Sequence, residues 1–130
     1  MALVGQLGSG KTTFARGLVC GLECPHYGKV SSPTYVLEQV YEGRLAIHHY
    51  DAYRLKGGEE LQALGFDEHL GTRRVLIVEW ADRVMSHLPA DRLQVELRFA
   101  NPTVPEIRHI RIFGLSSRWA DVLKLLEKNE

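Results

Sequence analysis

Gly5-Gln6-Leu7-Gly8-Ser9-Gly10-Lys11-Thr12 spells G-x-x-x-x-G-K-T without a mismatch, directly after the short apolar run Ala2-Leu3-Val4. That pattern is a phosphate-binding loop. Its glycines let the backbone curl until several N–H groups point inward at phosphate oxygens. Lys11 then reaches the β- and γ-phosphates, and the Thr12 hydroxyl is placed to ligate Mg²⁺. Thr13-Phe14-Ala15-Arg16-Gly17-Leu18-Val19 continues as a helix whose N-terminal dipole adds to the anion site. The expected ligand is a nucleoside triphosphate with its metal, held by residues 5 to 13.

Outward from the loop, helical spacing puts Phe14, Ala15, Leu18, Val19 and Leu22 on one face, with Gly21 and Pro25 marking the exit. After a turn at Ser31-Ser32-Pro33-Thr34, residues 35–41 read as a strand and residues 45–50 as its hairpin partner. Residues 59–70 are broadly helical, with Leu61, Leu64 and Leu70 inward and Gly65 weakening the pattern. Val75-Leu76-Ile77-Val78 is continuously apolar, the signature of a strand buried on both faces. Leu93, Val95, Leu97 and Phe99 then alternate with Gln94, Glu96 and Arg98, as in a half-buried strand, and residues 107–113 supply its antiparallel mate beyond a loop at 101–105. Ser116 or Ser117 can cap a last helix with Trp119, Val122, Leu123 and Leu126 in one stripe. This order predicts an α/β fold, a three-layer sandwich of the P-loop NTPase type with a mixed parallel and antiparallel sheet.

At 130 residues the chain is read as one ATPase domain. Only four residues precede Gly5, where a strand usually runs to about 5 or 6. The domain is therefore expected to lack an N-terminal segment and to be less stable than a version extended upstream. Lysine plus arginine equals aspartate plus glutamate at 16 each, so no overall field drives the protein onto DNA, RNA or a membrane. No apolar run approaches the roughly 20 residues of a membrane helix and no leader pattern opens the chain, which makes the cytoplasm the expected compartment. Cys20 and Cys24 read as free thiols at a helix end.

A phosphate loop needs a second metal-organising group, normally an acid ending a neighbouring buried strand. Glu79 follows Val78 directly, on the sheet edge where open α/β folds bind ligands. Asp51, ending the second hairpin strand, is a second candidate, either as a base or as a holder of metal-bound water; a turn-capping role fits it equally. Thr34 stands where nucleotide switches place a γ-phosphate sensor, although a plain turn accounts for it as well. His48 and His49 are adjacent, so in a strand they face opposite ways and form no two-histidine metal site by themselves. Arg98, Arg108, Arg111 and Arg118 have acids nearby and read as ordinary surface. The Asn-Lys-x-Asp segment that reads guanine is absent, which favours ATP.

Together, Leu7 to Thr12, Ser32-Pro33-Thr34, His49-Tyr50-Asp51-Ala52-Tyr53-Arg54 and Val78-Glu79-Trp80 resemble, from residue 1 to about 113, the TsaE family, the small ATPase of bacterial tRNA threonylcarbamoyladenosine (t⁶A) biosynthesis. The resemblance implies weak ATP hydrolysis alone and work with TsaD and TsaB, the proteins that install threonylcarbamoyl on adenosine 37; from the charge balance, any tRNA contact is expected to be local or indirect, shared with a partner. It also implies that Lys11 and Thr12 hold phosphate and Mg²⁺, that Thr34 and Asp51 are required for turnover, that Glu79 helps coordinate the metal, and that Trp80 lies beside the nucleotide. Ser9 stands where alanine is common in the family. The competing readings are a small-molecule kinase, whose lid would come from residues 54–71 with Arg73 and Arg74 its nearest arginines, and a nucleotide-dependent binding module.

Overall fold

Strand β1 (Ala2–Val4) runs straight into the glycine loop, and helix α1 (Lys11–Gly21) starts as soon as the loop ends. Gly8 and Gly10 make that reversal possible: their φ angles of +76° and +106° lie in the left-handed region that side chains disfavour. This computed structural model describes residues 1–128. After a 3₁₀ turn at Tyr27–Lys29 the chain forms the hairpin β2 (Glu38–Glu42) and β3 (Ala46–Asp51), then helix α2 (Gly58–Ala63) and a 3₁₀ turn at Phe66–His69. Strand β4 (Arg74–Glu79) follows, then two short 3₁₀ turns, the hairpin β5 (Leu93–Asn101) and β6 (Val104–Gly114), and helix α3 (Ala120–Glu127).

The six strands lie in the order β2-β3-β4-β1-β5-β6. The four inner strands are parallel, and each outer strand pairs antiparallel with its hairpin neighbour. The mixed sheet expected from the order of elements is therefore present. Helix α1 covers one face, where Ala15 and Val19 pack with Leu3, Ile47, Ile77, Val95 and Leu97. On the other face Leu61 of α2, Phe66, Ala81 and Val84 close over Tyr50 and Val78. Burying both faces is what lets β4 carry an unbroken apolar run. Among the described residues no helix is long and apolar enough to cross a membrane.

Several expectations are corrected. The first hairpin strand begins at Glu38 rather than Tyr35, because Leu37 turns to φ +67° and Tyr35 and Val36 lie exposed in the preceding turn. The helix read across residues 59–70 breaks at Gly65 (φ +83°), and the residue that enters the core there is Phe66, while Leu70 is exposed. The loop read at 101–105 shrinks to a tight turn, since β6 starts at Val104. Gln94, placed on the polar side of β5, is buried. The predicted stripe is not a core face: Val122 and Leu126 are exposed, and Trp119 and Leu123 are half-buried. Neither Ser116 nor Ser117 caps that helix; the Ser116 hydroxyl donates to Asp91 instead. Cys20 and Cys24 are free thiols, as expected.

Candidate nucleotide site

In register, Asp51 of β3 stands beside Glu79 of β4, so two carboxylates end adjacent parallel strands on the edge where the glycine loop emerges. Both are almost fully buried, at 1% and 2% exposure, so each must be held by donors. Glu79 accepts from the Thr12 hydroxyl at 2.9 and 3.1 Å and pairs with His49 Nε2 at 2.8 Å. Asp51 accepts from the Tyr53 N–H at 2.8 Å, the Thr34 hydroxyl at 2.8 Å and the Ser32 hydroxyl. Ser32 also reaches Glu79 at 3.4 Å, which joins the two acids through one side chain.

Lys11 lies at the loop's centre. Its ammonium donates to the carbonyls of Gly5 (2.5 Å) and Gln6 (3.0 Å) and sits 3.8 Å from the Trp80 ring centroid. Burial pushes its pKa below the ordinary lysine value, while Glu79, Asp82 and Asp51 pull the other way. Trp80 holds a left-handed backbone (φ +56°), a conformation that non-glycine residues keep mainly where the surroundings impose it. Gly5 is required for a different reason, since an added Cβ would meet the Ser9 side chain and stand 2.6 Å from the Leu97 carbonyl, which cannot yield.

A cavity of about 490 Å³ opens here, lined by Leu7, Gly8, Gly10, Lys11, Thr12, Thr13, Thr34, Glu79 and Trp80 together with Ser32, Tyr35 and Tyr53. The residues read as one site from the sequence thus converge, except that Gly5 and Gln6 line a separate depression with Glu96 to Phe99, the Ser9 side chain is buried beneath the loop, and Asp51 lies outside the cavity lining, hydrogen-bonded to Thr34 and Ser32. A larger cavity of about 840 Å³, lined by Met1, Leu76 and Leu93 among others, lies at the opposite edge of the sheet and contains none of these groups.

Three residues of the arrangement escaped the sequence reading. His49 is wholly buried and braces Glu79; a histidine inside an otherwise apolar strand was the available signal. Ser32 was read as part of a turn and of a family motif, with no partner assigned to its hydroxyl. Arg108, read as surface, donates from Nε to the Ser9 carbonyl (3.0 Å) and from Nη2 to the Gly8 carbonyl (3.1 Å), with its guanidinium 4.0 Å from the Phe99 ring centroid. It clasps the outside of the loop, turning carbonyls away from the phosphate side. Leu61 and Phe66 anchor the segment 54–71 on the sheet, and Arg74 begins β4 at the strand end away from the loop.

The donor set suits a hard cation next to phosphates. A hydroxyl and a carboxylate meet at the first turn of a helix, and Mg²⁺ takes oxygen ligands of that kind. The lysine and the backbone N–H groups of the loop and of α1 supply the positive field that a polyphosphate needs.

The TsaE family model, described as threonylcarbamoyl adenosine biosynthesis protein TsaE, matches residues 1–107. The tRNA threonylcarbamoyladenosine biosynthesis protein TsaE of Streptomyces coelicolor is 41% identical over 124 residues, covering 91% of this chain and 81% of the relative. The protein of that name from Treponema pallidum is 39% identical over 75% of this chain and 71% of its own length. The Bacillus subtilis one is 38% identical over 82% of this chain and 66% of its own. Among solved structures, the crystal structure of Bacillus subtilis YdiB superposes with a TM-score of 0.75 at 29% identity, covering 98% of this chain and 76% of that one.

Proposed function

The chain belongs to the TsaE family, whose work is tRNA threonylcarbamoyladenosine biosynthesis, and on that premise we propose that it is the Mg²⁺-dependent ATPase of the modifying complex. The observation that carries the reading is the convergence of the Lys11 ammonium, the Thr12 hydroxyl and the Glu79 carboxylate on one cavity, with Asp51 and Thr34 hydrogen-bonded beside them.

In this reading Lys11 exchanges the loop carbonyls for phosphate oxygens, and Thr12 and Glu79 hold the metal. Mg²⁺, when bound, neutralises charge on the β- and γ-phosphates. Thr34, freed from Asp51, senses the γ-phosphate, and Asp51 orients or deprotonates the attacking water. His49 fixes Glu79 in the orientation that meets Thr12. Trp80 packs beside the nucleotide. Hydrolysis resets the affinity for TsaD and TsaB in the cytoplasm, and tRNA is reached through those partners. Turnover of ATP and transfer of the threonylcarbamoyl group take place at separate sites.

The test is Mg²⁺-dependent ATP hydrolysis by the chain alone and with TsaB and TsaD, with Lys11→Ala as control and folding followed by circular dichroism. The expected result is slow hydrolysis that the partners accelerate and the variant abolishes. A folded chain that neither hydrolyses ATP nor responds to the partners would overturn the proposal.

A further inference from the structure

On the face of the sheet away from α1, three metal-competent side chains meet that the nucleotide site does not use. Glu38 lies on β2, His48 on β3, and His69 ends the 3₁₀ turn after α2. One donor atom from each lies within 4.8 Å of the other two. His48 Nδ1 is 2.6 Å from Glu38 Oε1, and the His48 and His69 ring centroids are 3.9 Å apart. His48 is 7% exposed and the other two are half-buried, so the cluster is partly shielded from water. The adjacency of His48 and His49 ruled out a shared site for those two; the second histidine comes instead from a segment 21 positions along the chain.

We propose that Glu38, His48 and His69 form a binding site for a divalent transition-metal ion of the Zn²⁺ type, separate from the nucleotide's Mg²⁺. Two imidazoles and a carboxylate are the ligand types that such ions select over Mg²⁺. With bonds of 2.0–2.2 Å, a tetrahedral ion separates its donors by roughly 3.3 Å. The His48–Glu38 donor spacing of 2.6 Å and the 4.8 Å limit on the other pairs lie on either side of that value, and a solvent molecule would complete the coordination.

Two neighbours fit the same reading. The Tyr50 hydroxyl, on the residue that pairs with Glu38 in register, is buried beside that carboxylate, where it can donate to and orient a ligating oxygen. The exposed Arg74 donates from Nη1 to His69 Nδ1 at 2.6 Å. Its guanidinium sets a positive charge beside the cluster, which opposes an entering cation until the side chain moves away. The bound ion would pin the Phe66–His69 turn to the β2–β3 hairpin.

The experiment is a Co²⁺ titration of the full chain without nucleotide, followed by visible absorption and then by Zn²⁺ displacement, with melting curves in parallel. The expected result is one equivalent of Co²⁺ with the intense bands of four- or five-coordinate geometry, lost on adding Zn²⁺, and a Tm raised by Zn²⁺. Glu38→Gln and His69→Ala, both at half-exposed positions, should each weaken binding tenfold or more, and Arg74→Ala should strengthen it. Absence of saturable binding to the folded chain would overturn the proposal. So would binding that persists unchanged in both ligand variants, which would place the ion elsewhere.

Discussion

The Thr12 hydroxyl donates to both oxygens of Glu79, tying the first turn of α1 to the end of β4 across 67 residues of chain. Both groups are those proposed to hold Mg²⁺, and this hydrogen bond fixes their spacing. Thr12→Ser keeps the oxygen and Thr12→Ala removes it. The serine variant should retain most Mg²⁺-dependent hydrolysis, while the alanine variant should lose about 10–100-fold in Mg²⁺ affinity or rate, the range seen even for outer-shell partners of metal ligands. Titrating Mg²⁺ at fixed ATP measures this, and equal curves for the two variants would exclude Thr12 as a ligand.

How much of this was legible in the sequence depended on distance along the chain. The loop of residues 5–12 and the apolar run at 75–78 each declare their structure locally, and from them the phosphate-loop fold and the position of Glu79 at a strand end follow. Partnerships were hidden. Nothing near His49 in sequence announces Glu79, which is 30 positions away, and Arg108 finds the Ser9 carbonyl across 99. The hairpin boundary failed at Leu37 because β propensity does not reveal a residue forced to positive φ. The last helix failed differently. Its apolar stripe correctly indicates a helix, but a stripe does not say that the domain buries it, and no residue of this one is fully buried.

His49 and Glu79 form a buried hydrogen-bonded pair at 2.8 Å. His49→Ala would leave the carboxylate with Thr12 and Ser32 alone and a small void beside it. Such a loss is expected to destabilise the fold by about 1–3 kcal/mol, the penalty for a buried polar group deprived of its partner. His49→Gln, which keeps an amide donor of similar reach, should lose less. Urea unfolding of the three proteins checks the order, and identical midpoints would show that the pair contributes nothing.

Arg108 shapes the phosphate loop from outside through the carbonyls of Gly8 and Ser9. Hydrogen bonds from a charged donor contribute about 1.5–3 kcal/mol. If part of that reaches the loop conformation, Arg108→Ala should raise the Kd for ATP roughly 5- to 30-fold at 25 °C, while Arg108→Lys, with one ammonium for two carbonyls, falls between. Binding of a fluorescent ATP analogue decides this. An unchanged Kd in the alanine variant would mean that the loop holds its shape unaided.

Asp91 anchors the approach to α3. It accepts from Ser116, from Arg118 Nη1 at 2.8 Å and from Trp119 Nε1 at 3.0 Å, and the Ser116 hydrogen bond above all, with the Arg118 charge behind it, holds its pKa below the ordinary 3.8. A carboxylate depressed in the folded state binds its proton more weakly there than in the unfolded chain. Its contribution is therefore fully present above pH 3.8 and is lost as the pH falls through the lower folded value. In a Trp80→Phe background, Trp119 fluorescence should be flat from pH 7 to pH 5 and change only below about pH 4. Asp91→Asn should abolish that step without altering ATP hydrolysis at neutral pH, and a step that survives in the variant would assign it to another group.

Asp51 separates an enzyme from a binding module. Its carboxylate is fully engaged by Ser32, Thr34 and Tyr53 and does not line the nucleotide cavity, so Asp51→Asn should leave ATP affinity within about threefold, less than 1 kcal/mol. As a base or water-orienting group it should account for roughly 10²–10⁴ in hydrolysis rate. Asparagine preserves the size of the side chain and an acceptor for the Tyr53 N–H, which keeps the strand end in place. If the variant binds ATP, fails to hydrolyse it and fails to support t⁶A formation with TsaB and TsaD, turnover is part of the function. If it still supports modification at the normal rate, nucleotide binding alone suffices and hydrolysis is incidental.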